Sequence, residues 1–77
     1  MIDNNFYEEL ASVVRYHRKK SGLNRIDLAN LAGVGKTVIY DIENAKPTVR
    51  LSTIIKILNV LNIKIKLISP LIRTEEI

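Results

Sequence analysis

The chain has 77 residues, 47% of them hydrophobic and 26% charged, enough for one compact unit and too few for a multidomain enzyme. A unit this small buries only about 60 to 65% of its unfolded surface, and without cysteine it has no disulfide or thiolate zinc site to reinforce a thin core, so association with a second chain is expected. The formal charge of +4 is unevenly spread, because residues 11–74 hold all 12 basic residues against only Asp27, Asp41 and Glu43, a net of +9 that favours a polyanionic partner.

Asn5 with Glu8 three residues later reads as a capping box, followed by Phe6, Leu10, Val13, Val14 and His17 on one helical stripe. A first helix is expected over about 5–20, ending in Arg18, Lys19 and Lys20, whose charges suit the negative end of the dipole, with Gly22 as terminator. Asn24 and Asp27 repeat the start signal for a short second helix with Leu28, Ala29, Leu31 and Ala32 as its apolar face, stopped by Gly33. Gly35 then opens a third helix of about 36–44, with Ile39 and Ile42 inward and Thr37, Tyr40, Asp41 and Asn44 sharing the outer face. Pro47 marks a loop.

A fourth helix over about 51–61 carries Leu51, Ile54, Ile55, Leu58 and Leu61 on one stripe, which leaves Ile57 and Val60 off it. That apolar arc is wider than one small core needs. Ile63, Ile65 and Leu67 then alternate with Lys64 and Lys66 at strand period, up to Pro70. The chain offers that strand no partner, so residues 63–68 are expected to pair antiparallel with the same segment of a second copy. Ile57, Val60, Ile63, Ile65 and Leu67 would form the dimer interface. The domain is expected to span 1–69, with 70–77 as a tail.

The most apolar stretch, 54–68, is broken by Lys56, Asn59, Asn62, Lys64 and Lys66, and the N-terminus shows no basic segment followed by an apolar one. A soluble, cytoplasmic protein without a membrane partner is expected. With no cysteine and a single histidine, no nucleophile and base can be paired. No catalytic residue, metal ligand or cofactor is expected, and the chain reads as a non-enzyme. The string AGVGKT at 32–37 imitates the end of a P-loop, but Asn30 stands where the first glycine is needed and a helix, not a strand, precedes it.

Residues 25–44 have the spacing of a helix-turn-helix: Leu28, Ala32, Val34, Ile39 and Ile42 inward, small Ala29 at the close approach and Gly33 at the turn. The text HRKKSGLNRIDLANLAGVGKTVIYDIENAKPTVRLSTIIKILNVLNI resembles the phage-repressor-like XRE (Cro/C1-type) helix-turn-helix family. The segment KPTVRLSTIIKILNVLNIKIKL is similar to the HipB-type and Y4mF-type antitoxins. The resemblance implies a mainly α, phage-repressor-like bundle of four to five helices with the C-terminal strand pairing across a homodimer. It also implies a sequence-specific DNA-binding repressor, the antitoxin of a type II toxin-antitoxin operon that autoregulates and sequesters a HipA-type kinase toxin. A stand-alone repressor and a non-DNA protein-interaction module are the alternatives.

Position by position, the resemblance places Lys36, Thr37, Tyr40 and Asp41 against base edges of a pseudo-palindromic operator. It places Asn24, Arg25, Gly35, Asn44 and Lys46 near the DNA backbone, and joins Arg18 to Glu43 as a structural ion pair. Arg25 replaces a usual glutamine and Gly35 a usual Ser or Thr cap. His17 is expected to be a half-buried packing residue.

Overall fold

In a computed structural model that describes residues 4–71, with side chains from Phe6 onward, the described residues form α1 (Asn4–Lys20), α2 (Arg25–Ala32), α3 (Lys36–Glu43) and α4 (Leu51–Val60). The mainly helical bundle expected from the sequence is present, with four helices rather than five among the described residues. Each helix is followed by a residue of positive φ: Gly22 at 72°, Gly33 at 70°, Ala45 at 59° and Asn62 at 58°. Behind each, the next amide reaches back five residues, Leu23 to the carbonyl of Arg18, Val34 to Ala29, Lys46 to Asp41 and Ile63 to Leu58, at 2.9–3.1 Å. These are Schellman closures, which satisfy carbonyls that a helix end leaves without partners.

The helix starts are less uniform. Asn24 caps α2 with the expected reciprocal pair, its Oδ1 accepting from the Asp27 amide at 2.8 Å while its own amide donates to Asp27 Oδ2 at 3.5 Å. Gly35 precedes α3 with no side-chain cap. Helix α1 begins at Asn4, so Asn5 lies within the helix and is not its cap.

Val14, Leu28, Ala29, Ile39, Ile42, Ile54, Ile57, Leu58 and Leu61 make the core, with Ala32, Val34 and Val60 packed on its edge. Ala29, small and buried, stands on the inner face of α2 at its approach to α3, and the inward residues Leu28, Ile39 and Ile42 are at most 2% exposed. Each such aliphatic side chain contributes about 1.5–3 kcal/mol through burial, so this seam holds the second helix against the first.

Three stripes run differently from the sequence expectation. On α1 the position expected for His17 is taken by Arg18, which is buried while His17 is exposed, because the face toward α3 follows Ala11, Val14 and Arg18 at helical spacing. On α2 Leu31 is exposed, leaving Leu28, Ala29 and Ala32 as the inner face. On α4 the core takes Ile54, Ile57, Leu58 and Leu61, which turns Leu51 and Ile55 outward. Ile57, assigned from the sequence to a dimer interface, is 0% exposed and sealed inside its own chain.

Residues 63–68 follow α4 in irregular conformation, and no strand occurs among the described residues. Ile63 packs on the core, whereas Ile65 and Leu67 are exposed. Residues 72–77, most of the expected tail, lie outside the described residues. No helix of the described chain is long and apolar enough to cross a membrane.

Candidate nucleic-acid interface

The site is organised around one buried carboxylate. Glu43, the last residue of α3, is 5% exposed, and Arg18 from α1 is 6% exposed. Arg18 donates through Nε to Glu43 Oε2 at 2.6 Å and through Nη2 to Oε1 at 3.1 Å, a bidentate pair, while its Nη1 donates to the Leu23 carbonyl at 3.0 Å. Arg25, the first residue of α2, donates through Nε to Glu43 Oε1 at 3.1 Å. Arg15 lies farther off, with Nε 3.5 Å from Oε1 and Nη2 donating to the Glu43 carbonyl at 3.4 Å.

Burial alone would raise the pKa of Glu43, but the hydrogen bond and charge of Arg18, joined by those of Arg25, outweigh it, and the carboxyl titrates below its ordinary 4.5. Glu43 is therefore ionised at neutral pH and ties α1, α2 and α3 together. No buried side-chain polar atom among the described residues lacks a partner.

With its inner side fixed, α3 turns Lys36, Thr37, Tyr40 and Asn44 to solvent. Positions 36, 37, 40 and 44 fall on one face at 3.6 residues per turn, and all four can donate hydrogen bonds. Tyr40 is 47% exposed and its ring is covered on one face by Arg25, whose guanidinium carbon lies 4.6 Å from the ring centroid. Asp41, expected to share that face, is half-buried and paired with Lys46, Nζ to Oδ1 at 3.3 Å. Because the Lys46 amide also donates to the Asp41 carbonyl, the acid and the lysine form a local clamp at the end of α3.

Around this face, Asn24 and Gly35 are exposed at the starts of α2 and α3. Asn24 uses its Oδ1 in the cap and keeps its side-chain NH2 group for solvent or a ligand. Arg25, half-buried at the start of α2, shares its guanidinium between Glu43 and the ring of Tyr40. Sequence reasoning also missed Arg15. The available signal was the scarcity of acid: three arginines at 15, 18 and 25 precede Glu43, one of only three carboxylates between residues 11 and 74.

A short helix, a glycine turn and a second helix with a polar outer face pinned from behind define a helix-turn-helix unit. The helix-turn-helix family model HTH_3 matches residues 14–68, and the chain belongs to that XRE-type family of DNA-binding transcription regulators. It is 34% identical over 62 residues to the uncharacterized HTH-type transcriptional regulator y4mF of Sinorhizobium fredii (strain NBRC 101917 / NGR234), covering 80% of this chain and 82% of that one. Two solved structures share the fold at a TM-score of 0.73 and 24% identity, covering 91% of this chain and 94% of theirs. One is described as an MDT protein and the other as the structure of a HipA-HipB-O2-O3 complex.

Proposed function

We propose that this chain is a sequence-specific transcriptional repressor that binds a pseudo-palindromic operator as a homodimer, without catalysis of its own. The observation that carries the reading is the outer face of α3, where Lys36, Thr37 and Tyr40 stand exposed on a helix fixed from behind by Glu43. Lys36 suits guanine O6 and N7, and Thr37 suits either kind of base edge. Asn24, Gly35, Asn44 and Lys46, near the helix ends, suit phosphates, which set the register of the recognition helix without reading sequence. Asp41 acts on bases indirectly in this reading, by holding Lys46.

The biological role we assign is that of a type II antitoxin, which represses its own operon and sequesters a HipA-type kinase toxin. It is supported by the fold shared with a chain from a HipA-HipB-O2-O3 complex. Selection of duplexes from a randomised library by the full-length chain tests the DNA reading, which fails if no sequence is enriched over scrambled DNA. Co-expression with the product of the adjacent reading frame tests the antitoxin role. Growth arrest by that product alone, relieved by this chain, is the expected result. An operator binder whose neighbouring product arrests nothing would be a stand-alone repressor.

A further inference from the structure

Arg25 is held from two sides. Its Nε donates to Glu43 Oε1 at 3.1 Å, and its guanidinium carbon lies 4.6 Å from the centroid of Tyr40. Glu43 is itself immobilised by the bidentate Arg18 and is almost wholly buried, so the chain from Glu43 through Arg25 to Tyr40 starts on a fixed point. A planar guanidinium in this place hydrogen-bonds in its plane and stacks through its face, which an ammonium cannot do together. Arg25 therefore confines the aromatic ring to one side of α3 and leaves its other face and edge, within the 47% of Tyr40 that is exposed, beside Lys36 and Thr37.

We infer that Arg25 is a positioning residue for base reading, and that the ring it holds reads a thymine through contact with the C5-methyl group. The inference rests on the DNA reading proposed above. A tyrosine ring with one face occupied by a cation has its other, apolar face to offer and a single rotatable hydroxyl rather than a fixed donor–acceptor pair, and the thymine methyl is the apolar mark that the major groove presents. A mobile tyrosine would pay the ordering cost at every encounter; a ring already held does not.

The experiment uses the full chain on the duplex selected from the randomised library, with each thymine in turn replaced by deoxyuridine in both half-sites. That change removes a methyl group and keeps every hydrogen bond. The unsubstituted protein is expected to lose about fourfold in affinity per half-site at one thymine, the worth of one buried methyl group. Tyr40→Ala should be insensitive to that replacement, and Tyr40→Phe should keep the sensitivity. Arg25→Lys and Arg25→Gln should both lose it.

An Arg25→Lys protein as sensitive as the parent would overturn the positioning role. So would Arg25→Gln weakening selected and scrambled duplexes equally, with a salt slope lower by about one, the behaviour of a phosphate anchor. A selected duplex insensitive to deoxyuridine everywhere overturns this inference and leaves the repressor reading standing. Failure to enrich any duplex overturns both.

Discussion

Glu43 and Arg18, 25 residues apart, share two hydrogen bonds of 2.6 and 3.1 Å that lock the last residue of α3 to α1. Removing the carboxylate leaves Arg18 buried with its charge unpaired, so Glu43→Ala should destabilise the chain by about 3 kcal/mol, against about 1 kcal/mol or less for an exposed pair. Urea titration followed by helical circular dichroism checks this. An unchanged midpoint would mean that the cluster contributes no net stability.

The same pair sets a pH dependence. Burial works against the charge on Glu43, but Arg18 and Arg25 prevail and hold its pKa in the folded chain below the ordinary 4.5. The unfolded chain therefore takes up the proton first as pH falls. The stabilisation is whole above the ordinary value and is lost progressively as pH falls from there through the lower folded one. Glu43→Gln should flatten this acid limb of a stability-against-pH curve, and an identical limb in the variant would assign the loss to other carboxylates.

Much of this architecture is legible in the residues, and the exceptions have physical causes. Gly22 and Gly33 announce their helix ends because glycine takes positive φ at no steric cost and Asn62 gives the weaker asparagine form of that signal, whereas Ala45 adopts the same conformation without one. The start of α2 is readable because Asn24 and Asp27 form a local motif three residues long. The choice between Ile55 and Ile57 is legible too, since exposed Ser52, Lys56 and Asn59 mark a polar face of α4 at helical spacing; Ile57 lies opposite it and is buried, whereas Ile55 borders it and is exposed. At the site, the exposure of Lys36, Thr37, Tyr40 and Asn44 follows from helical period. The contact of Arg25 with Glu43 depends on where Glu43 lies in space, which spacing along the chain does not encode.

Ala45 offers a gain in stability. Its φ of 59° strains an L-residue with a Cβ, and the surrounding hydrogen bonds, Ala45 amide to Ile42 carbonyl and Lys46 amide to Asp41 carbonyl, use backbone alone. Ala45→Gly keeps both bonds and relieves about 1 kcal/mol of strain, less part of that through greater freedom in the unfolded chain. Thermal denaturation should show a rise of a few degrees; a fall would mean that the Ala45 methyl group contributes more by packing than it costs in strain.

Gly35 is the complementary case. Its φ of −73° and ψ of 148° suit any residue, and a Cβ built there meets nothing within 4 Å. Gly35→Ser would supply the missing cap to the first turn of α3 and restrict the unfolded chain, for a gain of about 0.5–1 kcal/mol. The denaturation midpoint decides it. On DNA the same substitution brings a hydroxyl to the start of the recognition helix, and tighter binding to selected and scrambled duplex alike is expected if that position lies beside a phosphate.

Lys36 and Lys46 should separate on DNA. Lys36 is exposed at the first residue of α3, where the proposed function sets it against a base edge, and Lys36→Ala should then cost about 1–3 kcal/mol on the selected duplex while relaxing preference at one position. Lys46 sits beyond the helix end, paired to Asp41, and Lys46→Ala should weaken every duplex about equally. Equal losses on selected and scrambled DNA for Lys36→Ala would remove its base-reading role.

The dimer is the last expectation, and the exposed residues after α4 carry it. Ile65 is 42% exposed and Leu67 is 67% exposed, and they alternate with exposed Lys64 and Lys66, so an extended segment here shows one apolar and one basic face. With Ile57 withdrawn into the core, the apolar cover available on α4 is Ile55, which lines a cleft of about 370 Å³ together with Leu58, Asn59, Ile63, Lys64 and Ile65. Two copies of 63–68 paired antiparallel about a two-fold axis would place Ile65 and Leu67 of each chain against these clefts and complete each ladder with the other's backbone. The same axis would set two α3 helices about 34–36 Å apart, the spacing of successive major grooves, which is why the operator is expected to be a pseudo-palindrome. Ile65→Pro removes an amide from the ladder and an aliphatic side chain from the covered face. It lies outside the helices, so α1, α2 and α3 should stay helical while sedimentation shows monomers and operator affinity falls. A variant that sediments as tightly dimeric as the parent and binds the operator normally would place the two-fold interface on some other surface, with exposed Leu51 and Leu31 as the apolar residues to substitute next.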